Sequence, residues 1–275
     1  MGIVDFILNL AALLLWVNWR SVKFDPLNKR TPATLIGTLR RAAPQRFQRW
    51  HLLAVVGALL ILRALFYWQI GSAAGWTGKL DLGIATFFFR SNIFSQTFLF
   101  SVFSFARFLG IFYLWLLLLS ILSGPDPIRR FVRIQLGRVD GWMWQAKLLL
   151  PFFATGLIWG LASWPFPWLH PKVLSPSTRI EEALVIGLGS YLAWQFIAAV
   201  LLALYLLNSY IYFGKQPFWN YVGVTAERLL LPLKKIPLRA GKADFAPIVG
   251  IVLVFLLAEL ARRGLMLLYR WLLLF

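Results

Sequence analysis

From Ala183 to Gly214 the chain carries no charged residue, and that run constrains the fold more than any other feature of the sequence. As one helix it would be about 48 Å long. A bilayer's hydrocarbon core is about 30 Å thick and takes roughly 20 mostly apolar helical residues. Five other segments approach that length. Residues 3–19 are interrupted only by Asp5, Asn9 and Asn18, and residues 51–70 only by His51, Arg63 and Gln69. The stretch Ser91–Pro125 has Arg107 as its only charge, and residues 148–169 and Phe245 to about Leu260 complete the set. The chain is 60 % hydrophobic and 14 % charged, where a soluble domain carries roughly 25 % charged residues. Lipid is the natural solvent for the surplus.

Positive charge is segregated between these runs. Residues 20–49, 123–147 and 214–243 carry eight, five and six Lys or Arg, whereas 71–94 and 170–182 carry two each. The positive-inside rule places the richer set in the cytoplasm, and the loops alternate correctly if each segment spans once. The net charge of +18 therefore points to topology and anionic lipid rather than to nucleic acid. Met1-Gly2-Ile3-Val4-Asp5 lacks the positive start of a signal peptide. Residues 3–19 either span or lie in the interface. Ser91–Pro125 is too long for one crossing, so its start (Phe94, Phe98, Phe100) is expected along the outer interface. Arg262, Arg263 and Arg270 sit where this topology predicts the outer side, so Gly264–Phe275 reads as an interfacial helix.

The second half echoes the first. Ser95–Leu122, Asp126-Pro127, a basic loop and Pro151 make one unit; Ala183–Phe213, Gln216-Pro217, a basic loop and Pro247 make another. The two hairpins have the same orientation, so a symmetry axis would lie along the membrane normal. Each loop opens with an amphipathic stretch whose proline suits a first helical turn. In the first, Ile128, Phe131, Val132 and Leu136 share a face, and Arg129, Arg130 and Arg133 lie elsewhere; in the second, Phe218, Tyr221, Val222 and Leu229 share a face. Either these helices lie flat with their cations among lipid headgroups, or they are solvated basic loops. Asp244 is placed to cap the helix that Pro247 starts.

The second loop resembles the signature of the YggT family. The matching residues are Pro217, Thr225, Pro232 with Lys234 and Lys235, Pro237, and Asp244-Phe245-Ala246-Pro247. Ala226-Glu227-Arg228 replaces the usual Glu-Pro, and Ala246 stands where Ser is common. The first unit keeps only Asp126-Pro127 and Pro151. The resemblance covers roughly 95–270 and divides the chain into four parts. These are a hydrophobic segment with a basic cytoplasmic linker (1–50), an extra transmembrane helix and outer loop (51–94), a first hairpin (95–169), and a second hairpin with an interfacial tail (170–275). The resemblance implies a multi-pass protein of the bacterial cytoplasmic membrane, without catalysis or cofactor, that serves assembly or osmotic tolerance. Its partners would be membrane lipids, anionic headgroups included, and other membrane proteins.

Motifs for catalysis are missing: there is no HExxH, GxSxG or phosphate-binding GxxxxGK[ST]. Cysteine is absent. His51 and His170 fall at opposite ends of their segments, about 30 Å apart in level, so one haem does not join them. Glu181-Glu182 opens a helix, where acids are favoured by the dipole. The sharpest local feature is charge inside the apolar runs. Arg63, Arg107 and Glu259 each fall in the outer third of a span, and intramembrane charges tend to pair. One arrangement clusters Arg63 and Arg107 with Glu259 in the bundle interior; in the other, both arginines snorkel to the surface. Gly156 and Gly160 have the spacing that permits close helix packing. The expected fold is an all-α polytopic membrane protein with two same-orientation hairpins and interfacial helices. The expected role is a non-enzymatic scaffold or assembly factor, with a small-solute or ion transporter or channel as the alternative.

Overall fold

Long apolar runs become long helices because a helix satisfies its own backbone groups, which lipid cannot do. The computed structural model describes residues 2–24, 45–122, 127–164, 175–211, 217–233, 238–240 and 243–274. Helix α1 covers Gly2–Phe24 and α2 covers Gln45–Ala73. A small hairpin of β1 (Thr77–Asp81) and β2 (Thr86–Arg90) leads to α3 (Phe94–Leu122). Then come α4 (Pro127–Leu136), a 3-10 turn at Gly137–Gly141, and α5 (Trp144–Ser163). Helices α6 (Pro176–Gly189) and α7 (Trp194–Tyr210) are joined by a 3-10 turn, Ser190–Ala193. Helix α8 (Pro217–Leu229), the short strands β3 (Arg239–Ala240) and β4 (Ala243–Asp244), and α9 (Ala246–Leu274) complete the described chain. Among the described residues five stretches are long and apolar enough to cross a membrane: Gly2–Ser21, Trp50–Ala73, Phe94–Leu122, Trp144–Ser163 and Pro176–Tyr210; the sixth expected run, Phe245 to about Leu260, is not one of them, because Glu259, Arg262 and Arg263 interrupt α9. The protein is an all-α, multi-pass membrane protein.

The chain divides into two compact units. Unit 1 is Met1–Leu80 with Phe88–Gly110, and unit 2 is Asp81–Phe87 with Ile111–Phe275. In unit 1, α1 and α2 pack along each other with Ala12, Val56 and the α3 residue Phe105 in their core. The strand residue Phe89 is 1 % exposed and stacks near Phe100 and Phe103. The Phe100 ring lies 3.0 Å from where a Cβ on Gly78 would stand, so a larger residue there would push the ring aside by a few tenths of an ångström. The Phe-rich start of α3 is thus continuous with the rest of the helix, and Phe100 is buried; no separate interfacial stretch forms. The hairpin inside 71–94 was not expected from the sequence.

In unit 2, α5 and α6 make the closest crossing. A Cβ on Gly187 would stand 2.7 Å from the Phe152 carbonyl oxygen, and one on Gly156 would stand 3.0 Å from that of Ala183. The GxxxG spacing of α5 therefore does allow close packing, with Gly187 as the counterpart on α6. Pro151 lies inside α5, whereas Pro247 lies in the first turn of α9, so the two prolines of the repeat are not structural equivalents. Trp115 Nε1 donates to the Ala193 carbonyl at 2.8 Å, and Trp194 Nε1 to the Leu114 carbonyl at 2.9 Å. Each of these two half-buried indoles finds an acceptor.

Helices α4 and α8 begin at Pro127 and Pro217, as expected. Part of each apolar face turns into the protein, while Phe131 and Phe218 stay exposed. Val132 and Leu136 pack on Leu116 and Leu117 of α3, while Ala226 packs with Leu202, Leu230 and Leu233. The burial register repeats: the fifth, eighth and ninth residues after each proline (Val132, Gln135, Leu136; Val222, Thr225, Ala226) are all buried. This repetition is the clearest structural echo of the internal repeat. Helix α9 runs unbroken past Gly264, so the tail is not a separate interfacial helix. The i→i+3 and i→i+4 ion pairs from Glu259 to Arg262 and Arg263 explain why the basic pair does not end it.

Candidate functional site

Asp5, Asn9 and Ala12 recur at helical spacing on one face of α1. That face meets α2 at Arg63 and Tyr67, themselves one turn apart, and meets α3 at Ser104. Arg63 Nη2 donates to Asp5 Oδ1 at 2.7 Å and to Ser104 Oγ at 2.9 Å, and Nη1 donates to Asn9 Oδ1 at 2.8 Å. Asn9 Nδ2 donates to Ser104 Oγ at 3.1 Å, and the Tyr67 hydroxyl donates to Asp5 Oδ1. The guanidinium carbon lies 5.6 Å from the Tyr67 ring centroid and 5.4 Å from that of Phe100. The Arg63 side chain is 0 % exposed and that of Asp5 is 20 % exposed.

This is a charge-neutral knot built from three helices. An ionised side chain in an apolar interior needs both an opposite charge and hydrogen bonds to its remaining polar atoms. Asp5 supplies the charge, Asn9 and Ser104 supply acceptors, and two ring faces cover the cation. Just below it, Ser101 Oγ donates to the Leu60 carbonyl at 2.9 Å. Chemically the site holds α1, α2 and α3 in one register.

The acid that Arg63 holds is therefore Asp5 and not Glu259. Glu259 is engaged by its own helix: Arg262 Nη2 lies 2.7 Å from Oε2, and Arg263 Nε lies 2.7 Å from Oε1. Arg107 is exposed on α3. The expected Arg63/Arg107–Glu259 cluster is corrected accordingly. Arg63 does face a bundle interior, and the missed signal was the i,i+4 pair Asp5 and Asn9. Those two residues read as blemishes in an apolar run, yet they are the groups that a buried arginine requires.

A second ionic site lies in unit 2 at the turn between α4 and α5. Asp140 is 3 % exposed and Lys147 is 5 % exposed. Ser120 Oγ donates to Asp140 Oδ1 and accepts from Lys147 Nζ at 2.8 Å. Lys147 Nζ lies 3.9 Å from Asp140 Oδ1, and Arg133 Nε reaches Asp140 Oδ2 at 3.4 Å with its own side chain 69 % exposed. Arg133, expected among headgroups, is thus exposed and leans on the turn. The side chains of Arg129 and Arg130 lie outside the described residues. Elsewhere in unit 2, Glu182 is 2 % exposed and accepts the Tyr269 hydroxyl at 3.1 Å, so this acid ties α6 to α9.

The motif residues are placed as follows. Pro217 opens α8 and is exposed; Thr225 is fully buried; Pro232 is exposed in the turn after α8. Asp244 Oδ1 accepts the Ala246 N–H at 3.0 Å at the start of α9, which is the capping role expected of it, and Pro247 is buried beside it. Lys234, Lys235 and Pro237 lie outside the described residues, as does His170, while His51 is exposed. Compared with protein-family models, with curated proteins and with solved structures, the chain matches none.

Proposed function

We propose that this protein is a non-enzymatic membrane scaffold or assembly factor of the YggT type. In this reading it resides in a bacterial cytoplasmic membrane with its basic loops on the cytoplasmic side. The observation that carries the proposal is the Arg63 knot. A transport path would be lined by Arg63, Arg107 or Glu259, but Arg63 is sealed within α1, α2 and α3 with both Nη groups hydrogen-bonded. An immobilised charge of this kind supports a fixed framework. The inward packing of Val132, Leu136, Val222 and Ala226 adds to it, because it leaves Arg133, Arg138 and Arg228 exposed for anionic lipid or a partner protein.

The test has two parts. In mild detergent, the wild type should retain a defined partner complex that an Arg133→Glu/Arg138→Glu variant of equal thermal stability loses. In proteoliposomes under an osmotic step, light scattering should show the same solute permeability as protein-free vesicles. Solute flux above that background sinks the scaffold reading and favours transport.

A further inference from the structure

Burial sorts the charges of the turn between α4 and α5 by sign. Across residues 131–150 the chain has Asp140 as its only acid, with Arg133, Arg138 and Lys147 as cations. Asp140 and Lys147 are buried together on Ser120. Arg133 and Arg138 stay outside. The exposed surface of this stretch therefore carries two arginines and no acid. Arg133 touches Asp140 through Nε at 3.4 Å, a loose contact. A guanidinium has five N–H donors, so most of its capacity is left for a second acceptor.

The level of this turn follows from α5 itself. Phe153, Leu157 and Leu161 recur at four-residue spacing and are exposed, so α5 shows an apolar stripe on its outer surface. Exposed tryptophans close the stripe at both ends, Trp144 at 63 % and Trp164 at 68 %. The helix between them is about 30 Å long, the thickness of a hydrocarbon core. Tryptophan gathers at the boundary between membrane and water, so Trp144 marks one such boundary. Trp142 and Met143, 48 and 76 % exposed, come just before it in the chain. Ser120, which donates to Asp140, lies in the last turn of α3. The arginines thus stand where two spanning helices end, on the polar side of Trp144.

We propose that the α4–α5 turn binds an anionic phospholipid, with Arg133 and Arg138 on the headgroup phosphate and Trp142, Met143 and Trp144 against the glycerol and upper acyl chains. The proposal rests on the scaffold reading, in which these arginines meet anionic lipid or a partner protein, and it names lipid as the occupant. Charge and polarity select it together. Guanidinium matches phosphate oxygens with paired N–H donors, and indole has an apolar body with a polar edge suited to the headgroup level. An acidic protein surface would answer the arginines alone. A phospholipid answers both the arginines and the exposed apolar run that begins beside them. The buried Asp140–Ser120–Lys147 lock fixes the turn, so the site is formed before lipid arrives.

The test uses the full chain in detergent micelles with phosphatidylglycerol or phosphatidylcholine of matched acyl chains, read by native mass spectrometry and thermal unfolding. An arginine beside an anionic headgroup is worth about fivefold, so the wild type should prefer phosphatidylglycerol by roughly 25-fold. Arg138→Gln should lower that ratio to about fivefold and Arg133→Gln/Arg138→Gln to about one; the single variant guards against a double variant that does not fold. Lys79→Gln, which removes an exposed cation of unit 1, should leave the ratio unchanged. An unaltered preference in the double variant overturns the proposal. Glycerophosphate should fail to stabilise the protein; stabilisation equal to that by lipid would make this a free-anion site and overturn the lipid assignment. The chain has no cysteine, so Met143→Cys offers a single thiol for a fluorophore. In phosphatidylglycerol vesicles, lipids brominated on the upper acyl chain should quench it, and unquenched emission typical of water contradicts the placement. A double variant that loses a partner complex while its lipid preference matches the wild type would mark the turn as a protein dock; the lipid assignment then falls and the scaffold reading stands. Solute flux above background with the expected lipid ratios would do the reverse.

Discussion

Units 1 and 2 each pair a buried cation with a carboxylate, and they do so in opposite ways. In unit 1 the partners come from far along the chain: Asp5 and Arg63 are 58 residues apart and Asn9 and Arg63 are 54 apart. In unit 2, Asp140 takes Arg133 from 7 residues away and Ser120 from 20. The first arrangement is a tertiary tie, since no segment of unit 1 contains it alone. The second is a turn lock that sets how α4 leaves for α5. Unit 2 then relies on steric fit, in the glycine crossing of α5 and α6, for what unit 1 achieves with charge.

The comparison predicts a ranking. Asp5→Ala should have the largest effect, because it strands a fully buried guanidinium. The loss is about 4 kcal/mol, read as a lower midpoint of thermal unfolding in detergent and as earlier proteolysis after α1. Asp140→Ala comes next, at about 3 kcal/mol, with the loss confined to the α4–α5 turn in hydrogen exchange. Equal spread of exchange across unit 2 would erase the distinction between tie and lock. Gly187→Ala should cost about 2 kcal/mol through overpacking, since its new Cβ meets backbone rather than a movable side chain. Arg228→Ala is the smallest. Its guanidinium donates to the Leu122 carbonyl at the end of α3 from an exposed position, and a cation at a helix C-terminus contributes under about 1 kcal/mol.

What was legible in the sequence was local. Pro127 and Pro217 mark helix starts by fixing a backbone angle, and Asp244 with Pro247 marks another, so each is read without knowing its neighbours. Five of the six apolar runs gave helices long and apolar enough to span for the same reason. What failed needed a partner. Arg63 declared itself as an expensive charge, but its acid was sought on α9 by level alone, and the face shared by Asp5 and Asn9 was passed over. Gly156 was legible as a small residue, while Gly187, the other half of that crossing, was not. The β1–β2 hairpin was hidden because Phe87-Phe88-Phe89 shows no polar alternation, although only Phe87 and Phe89 are buried. The tail was misjudged because Arg262, Arg263 and Arg270 fall where the alternating topology predicts the outer side, and Glu259, which pairs with two of them along the helix, was assigned to Arg63 and Arg107.

The central claim is that Asp5 is the counter-ion of a buried Arg63 and so fixes α1 against α2. A double-mutant cycle with Asp5→Leu and Arg63→Leu, read by thermal unfolding of the purified protein, addresses it most directly. Each single change should lower the midpoint strongly, and the double variant should recover most of the loss, because no charge is then left buried. A double variant whose loss equals the sum of the two single losses would contradict the account.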